Sequence, residues 1–290
     1  MRKSDRKPKT DRTHPIALSF DLEYWWCSEL LDISSLTRKP EILADASQLI
    51  LRLLDKHRIK STFFILGTVA EKFPHLVEAI YRMGHEVASH GHTHSNVFGL
   101  SPQQFDEEVK KSTEILSSIT NEKPIGFRAP NFSFDQSTPW AYGILEKHGY
   151  KYSSSVFPFK TKLYGLPKAP VFPYSPARDN LLLPDPERKI IEFPLSVFNL
   201  LGKNIPVSGG FYFRVLPISF TRFALGSILR RRPAVVYLHM RDLYAQLPRF
   251  RELSLKARLF HYWGLKTSLL KFEDLLESFN FKSVRDTLGL

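Results

Sequence analysis

Along the first half of the chain, short unbroken apolar runs alternate with stretches of helical period, the pattern of strand–helix units around a largely parallel sheet. IALSFD, residues 16–21, reads as a buried strand. From Glu41 to His57, Ile42, Leu43, Ala46, Leu49, Ile50, Leu53 and Leu54 recur at spacings of three and four, which predicts an amphipathic helix. STFFIL from Ser61 is the next strand. A helix over about 70–82, capped by Gly84, leads into the strand HEVAS. Ser101 and Pro102 mark the start of a third helix, GFRAP from Gly126 reads as a strand, 136–148 as a helix, and KYSSSVF as a fifth strand.

The regularity then stops. Prolines at 158, 167, 170, 173, 176, 184 and 186 exclude any long element in that stretch. It resumes with the strand IIEFPLS, a glycine turn at Ser208-Gly209-Gly210, a helix over 219–229, the strand AVVYLH and a helix over 265–279. The closing FKSVRDTL reads as a strand and turn. Neither an internal repeat nor a linker is visible. The expectation is one domain over 15–290, with a C-terminal extension from about residue 240, preceded by a basic disordered tail over 1–14.

Composition narrows the class. At 290 residues, 43% hydrophobic and 24% charged, the chain is globular rather than fibrous or disordered. One cysteine, Cys27, excludes an intrachain disulfide and a cysteine-cluster zinc site, and Cys27 itself reads as an inert thiol. With no long apolar run, and a start, MRKSDRKPKTDR, that lacks the apolar stretch of a secretory signal, a soluble cytoplasmic protein without a transmembrane segment is expected. The net charge of +12 is poorly focused: residues 1–12 hold six basic and two acidic side chains, and Arg230, Arg231 and Arg232 form a second cluster. These read as solvated charges, at most weakly attracted to a membrane surface, and not as a specific nucleic-acid site. Oligomeric state leaves no signal.

Four strands end in polar groups, where chemistry collects in such sheets. His90 and His94, four apart, suit a divalent metal, and one carboxylate would complete a two-histidine, one-carboxylate set. His92 is either exposed or supports the other two. Asp21 and Glu23 face one crevice, so that one binds metal while the other takes a proton from water. Arg128, leaving a buried strand, needs a carboxylate partner. His239 follows four apolar residues and taken alone is a core histidine.

Together these motifs resemble the polysaccharide deacetylases, the NodB-type domain of carbohydrate esterase family 4. The resemblance rests on Ser19-Phe20-Asp21-Leu22-Glu23, Ser89 through His94, Arg128-Ala129-Pro130-Asn131 and Val236-Tyr237-Leu238-His239, in family order over about 220 residues. RAPNFSFD, YSSSVFP and EFPLSVFNLLGKNIPVSGGFYFRVLP further resemble the subgroup linked to exosortase exopolysaccharide loci. The family implies a distorted (β/α) barrel of about seven strands, a divalent metal, most often Zn2+, and hydrolysis of N-acetyl groups on an amino-sugar polysaccharide or oligosaccharide. Residue by residue it implies His90 and His94 as ligands, Glu23 as third ligand by analogy, and Asp21 as general base. Arg128 would orient Asp21, the Asn131 backbone N–H would help hold the oxyanion, and His239 would act as the acid. Leu22 stands where the family carries its metal carboxylate, Gly91 where many members carry Ser or Thr, and Tyr24 where the subgroup carries an acid. Ser153 stands where an Asp is usual, which implies a less firmly held Arg128. Two rivals share the fold: a metal-independent cyclic-amide hydrolase of allantoinase type and a non-catalytic carbohydrate-binding descendant. Tyr24, Trp25, Trp26, Phe132, Phe134 and Trp140 are either a sugar-stacking groove or ordinary core.

Overall fold

In β1 (Ile16–Leu22) every residue is buried, and the alternation of the strand decides what each one meets. Leu18, Phe20 and Leu22 pack under the helices, whereas Ala17, Ser19 and Asp21 point into the barrel. The structure is a computed structural model that describes residues 14–28, 36, 38–161 and 164–290. All of the expected tail except His14 lies outside the described residues.

The strands that follow are β2 (Thr62–Ile65), β3 (Glu86–Ser89), β4 (Gly126–Phe127), β5 (Tyr152–Ser153) and β6 (Ile191–Glu192). A separate antiparallel hairpin, β7 (Val197–Leu200) and β8 (Lys203–Pro206), precedes β9 (Ala234–His239) and β10 (Phe281–Lys282). Seven parallel strands in the order β9-β1-β2-β3-β4-β5-β6 curl into a half-barrel, with β10 paired to the first two residues of β1. β1 pairs with β9 from Ile16↔Ala234 to Asp21↔His239.

The helices are α1 (Leu43–His57), α2 (Gly67–Lys72), α3 (Pro74–Arg82), α4 (Pro102–Thr120), α5 (Ala141–Lys147), α6 (Gly210–Val215), α7 (Ile218–Leu229), α8 (Met240–Leu243), α9 (Leu255–Tyr262), α10 (Leu265–Ser278) and α11 (Val284–Leu288). Of these, α1, α2, α3, α7 and α10 pack on the outer face of the strands. Phe20 meets Phe63 at 5.2 Å and the edge of Phe272, from α10, at 5.9 Å, so α10 closes over the central strand. Truncating one such buried ring costs about 3–5 kcal/mol.

Several expectations are corrected. The helix over 70–82 is two helices, because Pro74 has no N–H to continue α2 and instead opens α3. The helix over 136–148 begins only at Ala141. Before it, Asp135 accepts hydrogen bonds from the Ser137 N–H and hydroxyl and holds a turn ahead of Pro139. The strands at GFRAP, KYSSSVF and IIEFPLS are two residues each. The closing turn is the helix α11, capped by the Ser283 hydroxyl. By contrast, α4 starts at Ser101 as expected, with Ser101 and Gln104 forming a reciprocal capping box.

Candidate active site

Asp21 and Glu23 line the same cavity, whereas Leu22 between them is buried in the helix layer. Leu22 therefore brings no group to the cavity in this chain. Glu23, one step further, does.

His90 follows β3 directly. Gly91, at φ +77°, then turns the chain so that His94, also left-handed at φ 68°, returns to Glu23. Glu108 of α4 fastens this loop, its carboxylate accepting from the N–H groups of His92 and Thr93 at 2.9 Å and from the Thr93 hydroxyl at 2.8 Å. His94 Nε2 lies 2.7 Å and His90 Nε2 3.3 Å from the same oxygen of Glu23, Oε2. The other oxygen, Oε1, accepts from Arg241 at 2.7 Å. Burial alone would raise the Glu23 carboxyl, but His94, His239 and Arg241 outweigh it and hold Glu23 well below the usual carboxylate range. Burial likewise lowers His90, and the charges of Asp21 and Glu23 outweigh it and raise it.

Glu23, His90 and His94 each offer one ligand atom within 4.8 Å of the others, the one such group among the described residues. His90 Nδ1 lies 2.8 Å from the Arg128 carbonyl. With its proton donated there, Nε2 turns a lone pair toward Glu23, the tautomer that metal ligation requires. The donor set therefore fits a divalent transition ion.

Arg128 is fully buried and well held. It donates to Asp21 Oδ1 at 2.7 Å and, at 3.0 Å each, to the Ser19 hydroxyl, the Ser154 carbonyl and the Ser154 hydroxyl. Its guanidinium also sits 4.0 Å over the Phe64 ring. The expectation of a loose Arg128 is therefore corrected: Ser153 bonds to Ser155, and Ser19 and Ser154 supply the anchoring instead. Beyond it, Asn131 and Phe132 stand at φ 52° and 51°. Two consecutive non-glycine residues in the left-handed region cost on the order of 1–3 kcal/mol each, and both line the cavity.

His239 Nε2 lies 3.4 Å from Glu23 Oε1 and 3.8 Å from Asp21 Oδ2. On its far side, Nδ1 is 3.1 Å from Asp242 Oδ2, which also accepts the His239 N–H at 2.9 Å. Asp242 Oδ1 pairs with Arg214 Nε at 3.2 Å, and Arg214 donates to the carbonyls of Phe260, His261 and Trp263 near the end of α9. Burial would raise Asp242, but His239, Arg214 and Arg241 hold it far below the usual range. Gly210 completes the packing, since a Cβ there would meet the Asp242 carboxylate at 2.0 Å.

The cavity holds about 290 Å³, near the lower end of small-molecule sites. Its walls beyond the polar cluster are aromatic: Phe132, Tyr164, Phe211, Tyr212, Tyr237 and Phe260. Of the aromatic residues singled out from the sequence only Phe132 is among them. Trp25 and Phe134 are core, Trp140 packs on Phe105, and Tyr24 stacks on Trp26 at 4.6 Å. His92 is buried against Gly67, away from Glu23, rather than exposed. Burial pushes the Cys27 thiol up to about 12, so it carries no thiolate at neutral pH. Sequence reasoning missed Arg214, Arg241 and Asp242. The carboxylate three residues after His239 was the available signal for one of them.

A family profile for polysaccharide deacetylases matches residues 9–153, half of the chain, and one described as a domain of unknown function (DUF3473) matches residues 154–289. A peptidoglycan deacetylase-like protein of Gibberella zeae is 33% identical over 153 residues, which is 50% of this chain and 44% of that protein. A peptidoglycan deacetylase of Helicobacter pylori is 33% identical over 107 residues, 37% of this chain and 36% of that one. The matched stretches thus span less than half of these relatives. A solved candidate polysaccharide deacetylase from Mycobacterium smegmatis superposes at a TM-score of 0.59 over 96% of this chain and 90% of its own, at 17% identity, a likeness of fold. Among the described residues no helix is long and apolar enough to cross a membrane.

Proposed function

The chain belongs to the polysaccharide deacetylase family, and from that premise we propose that it removes N-acetyl groups from an amino-sugar saccharide. The observation that carries this reading is the convergence of Asp21, Glu23, His90 and His239 on one cavity at the carboxyl ends of β1, β3 and β9, with His94 against Glu23. Glu23, His90 and His94 would hold a divalent ion, zinc in our reading, which when bound would supply Lewis acidity toward the water and the acetyl carbonyl. Asp21 takes the proton of the attacking water, and Arg128, donating to Oδ1, leaves Oδ2 facing the cavity for that purpose. The Asn131 backbone N–H helps hold the oxygen on which charge develops. His239, oriented by Asp242, gives its proton to the departing amine nitrogen. The aromatic walls stack on the sugar's apolar faces and keep bulk water out.

We place the reaction in the cytoplasm and associate it with exopolysaccharide assembly of the exosortase-linked kind. The test is acetate release from a panel of N-acetylated glycans by the chelated protein, before and after zinc is restored. Release that returns with zinc supports the reading. Release that survives chelation favours a metal-independent amide hydrolase, and glycan binding without release favours a carbohydrate-binding descendant.

A further inference from the structure

Helix α9 has two faces with different surroundings. Ala257 and His261 are buried, and Lys256 and Phe260 line the cavity of the candidate active site. The opposite face is apolar yet open: Leu255, Leu259 and Trp263, four residues apart, are 71%, 48% and 56% exposed. Such spacing aligns them as one stripe along the helix. An exposed stripe of this size marks a contact surface.

The surrounding charge selects the occupant. Between residues 249 and 266 the exposed charged residues are Arg249, Arg251, Lys256, Arg258 and Lys266 against Glu252 alone. Pairing the stripe with its counterpart on a second copy would set these like charges face to face. A surface of anionic headgroups over an apolar layer complements both parts. We propose that the outer face of α9 docks on an anionic lipid bilayer, with Leu255, Leu259 and Trp263 entering the headgroup boundary and the basic residues meeting lipid phosphates. The rim of the cavity, formed by the adjacent residues of the same helix, then lies against the membrane. Taken with the deacetylase reading, on which this consequence rests, the substrate is an acetamido saccharide held at a lipid surface.

The full chain is sedimented with vesicles of phosphatidylcholine alone and with vesicles containing about one third phosphatidylglycerol. The expected result is binding to the anionic vesicles only, weakened roughly tenfold or more in Leu255→Ser/Leu259→Ser, which leaves every charge in place. Trp263 emission should shift to the blue on binding, and Trp263→Phe should lose that component. Equal binding by the double variant would assign attraction to charge elsewhere, such as the basic amino terminus, and overturn the proposal. So would self-association that the double variant abolishes, or a melting temperature lowered by more than about 4 °C, since the stripe would then be packed against another part of the chain. Acetate release from an acetylated glycolipid in vesicles should fall in the double variant while release from a soluble oligosaccharide stays unchanged. Vesicle binding without any acetate release would leave the docking intact and remove the deacetylase reading.

Discussion

Residues up to Ser153 and residues beyond it build the cavity by different means. In the first region a polar group enters because of its place in the sheet: Asp21 on the inner face of β1, His90 at the end of β3, Arg128 just past β4. In the second region only Tyr237 and His239, both on β9, do so. Arg214, Asp242, Phe260 and Tyr164 arrive from short helices and irregular chain; Arg214 ties Asp242 to the Phe260 carbonyl, and Tyr164 packs on Phe132 and Phe157. The first region supplies groups suited to the chemical step. The second supplies walls and orients one of those groups.

Breaking the first region should have the largest effect. His90→Ala or His94→Ala is expected to abolish stoichiometric metal binding and reduce acetate release to background while the fold persists; elemental analysis and circular dichroism together check it. Full metal content in both variants would remove the trio from the site. Next in size, Asp21→Asn should keep its metal and lose turnover by roughly 10² to 10⁴-fold, since an amide cannot take the water proton. Glu23→Gln should instead weaken the metal. Exchanged phenotypes would exchange the two roles.

The second region should respond more mildly. Asp242→Asn should lower kcat by roughly 10 to 100-fold with metal content unchanged, the range for groups that orient a functional imidazole. Gly210→Ala, which pushes on the same carboxylate, should act in the same direction. A loss as large as that of Asp21→Asn would erase the distinction between the regions. The smallest effect concerns stability alone. Burial, with Lys60 adding to it, lowers His85 from 6.5 to about 4, so the unfolded chain binds its proton first as the pH falls. Stability from this residue is complete above pH 6.5 and is lost progressively toward pH 4, roughly 3 kcal/mol at most. His85→Leu should flatten urea-melt stability across that window without altering acetate release.

The same contrast explains what the sequence made legible. Asp21, Glu23, His90, His94, Arg128 and His239 stand at or just past the ends of strands whose apolar runs announce them; Asp21, Glu23, His90 and His239 line the cavity, while His94 meets it through Glu23 and Arg128 through Asp21. Arg241 and Asp242 lie in a stretch without period, and Arg214 is significant only because the chain brings it back to Asp242. Hydrophobic period reports burial against a layer, and it carries no information about an ion pair formed between two short helices distant in sequence. The helix α9 was missed for a related reason: its exposed leucines blur the polar face that normally reveals an amphipathic helix.

Asp21 and His239 are direct partners in the β1–β9 ladder. Their separation is therefore a unit of the hydrogen-bond lattice, one strand spacing of about 4.8 Å, rather than a dimension negotiated by loops. A lattice is periodic along its length. Moving β9 by one residue would turn the imidazole to the outer face altogether, while growth or loss of residues in the connecting segments leaves the interval unchanged. The proline-rich span and the helices around the cavity are thus free to diverge in length and shape, altering which molecule is admitted, without resetting the distance between the two groups it meets.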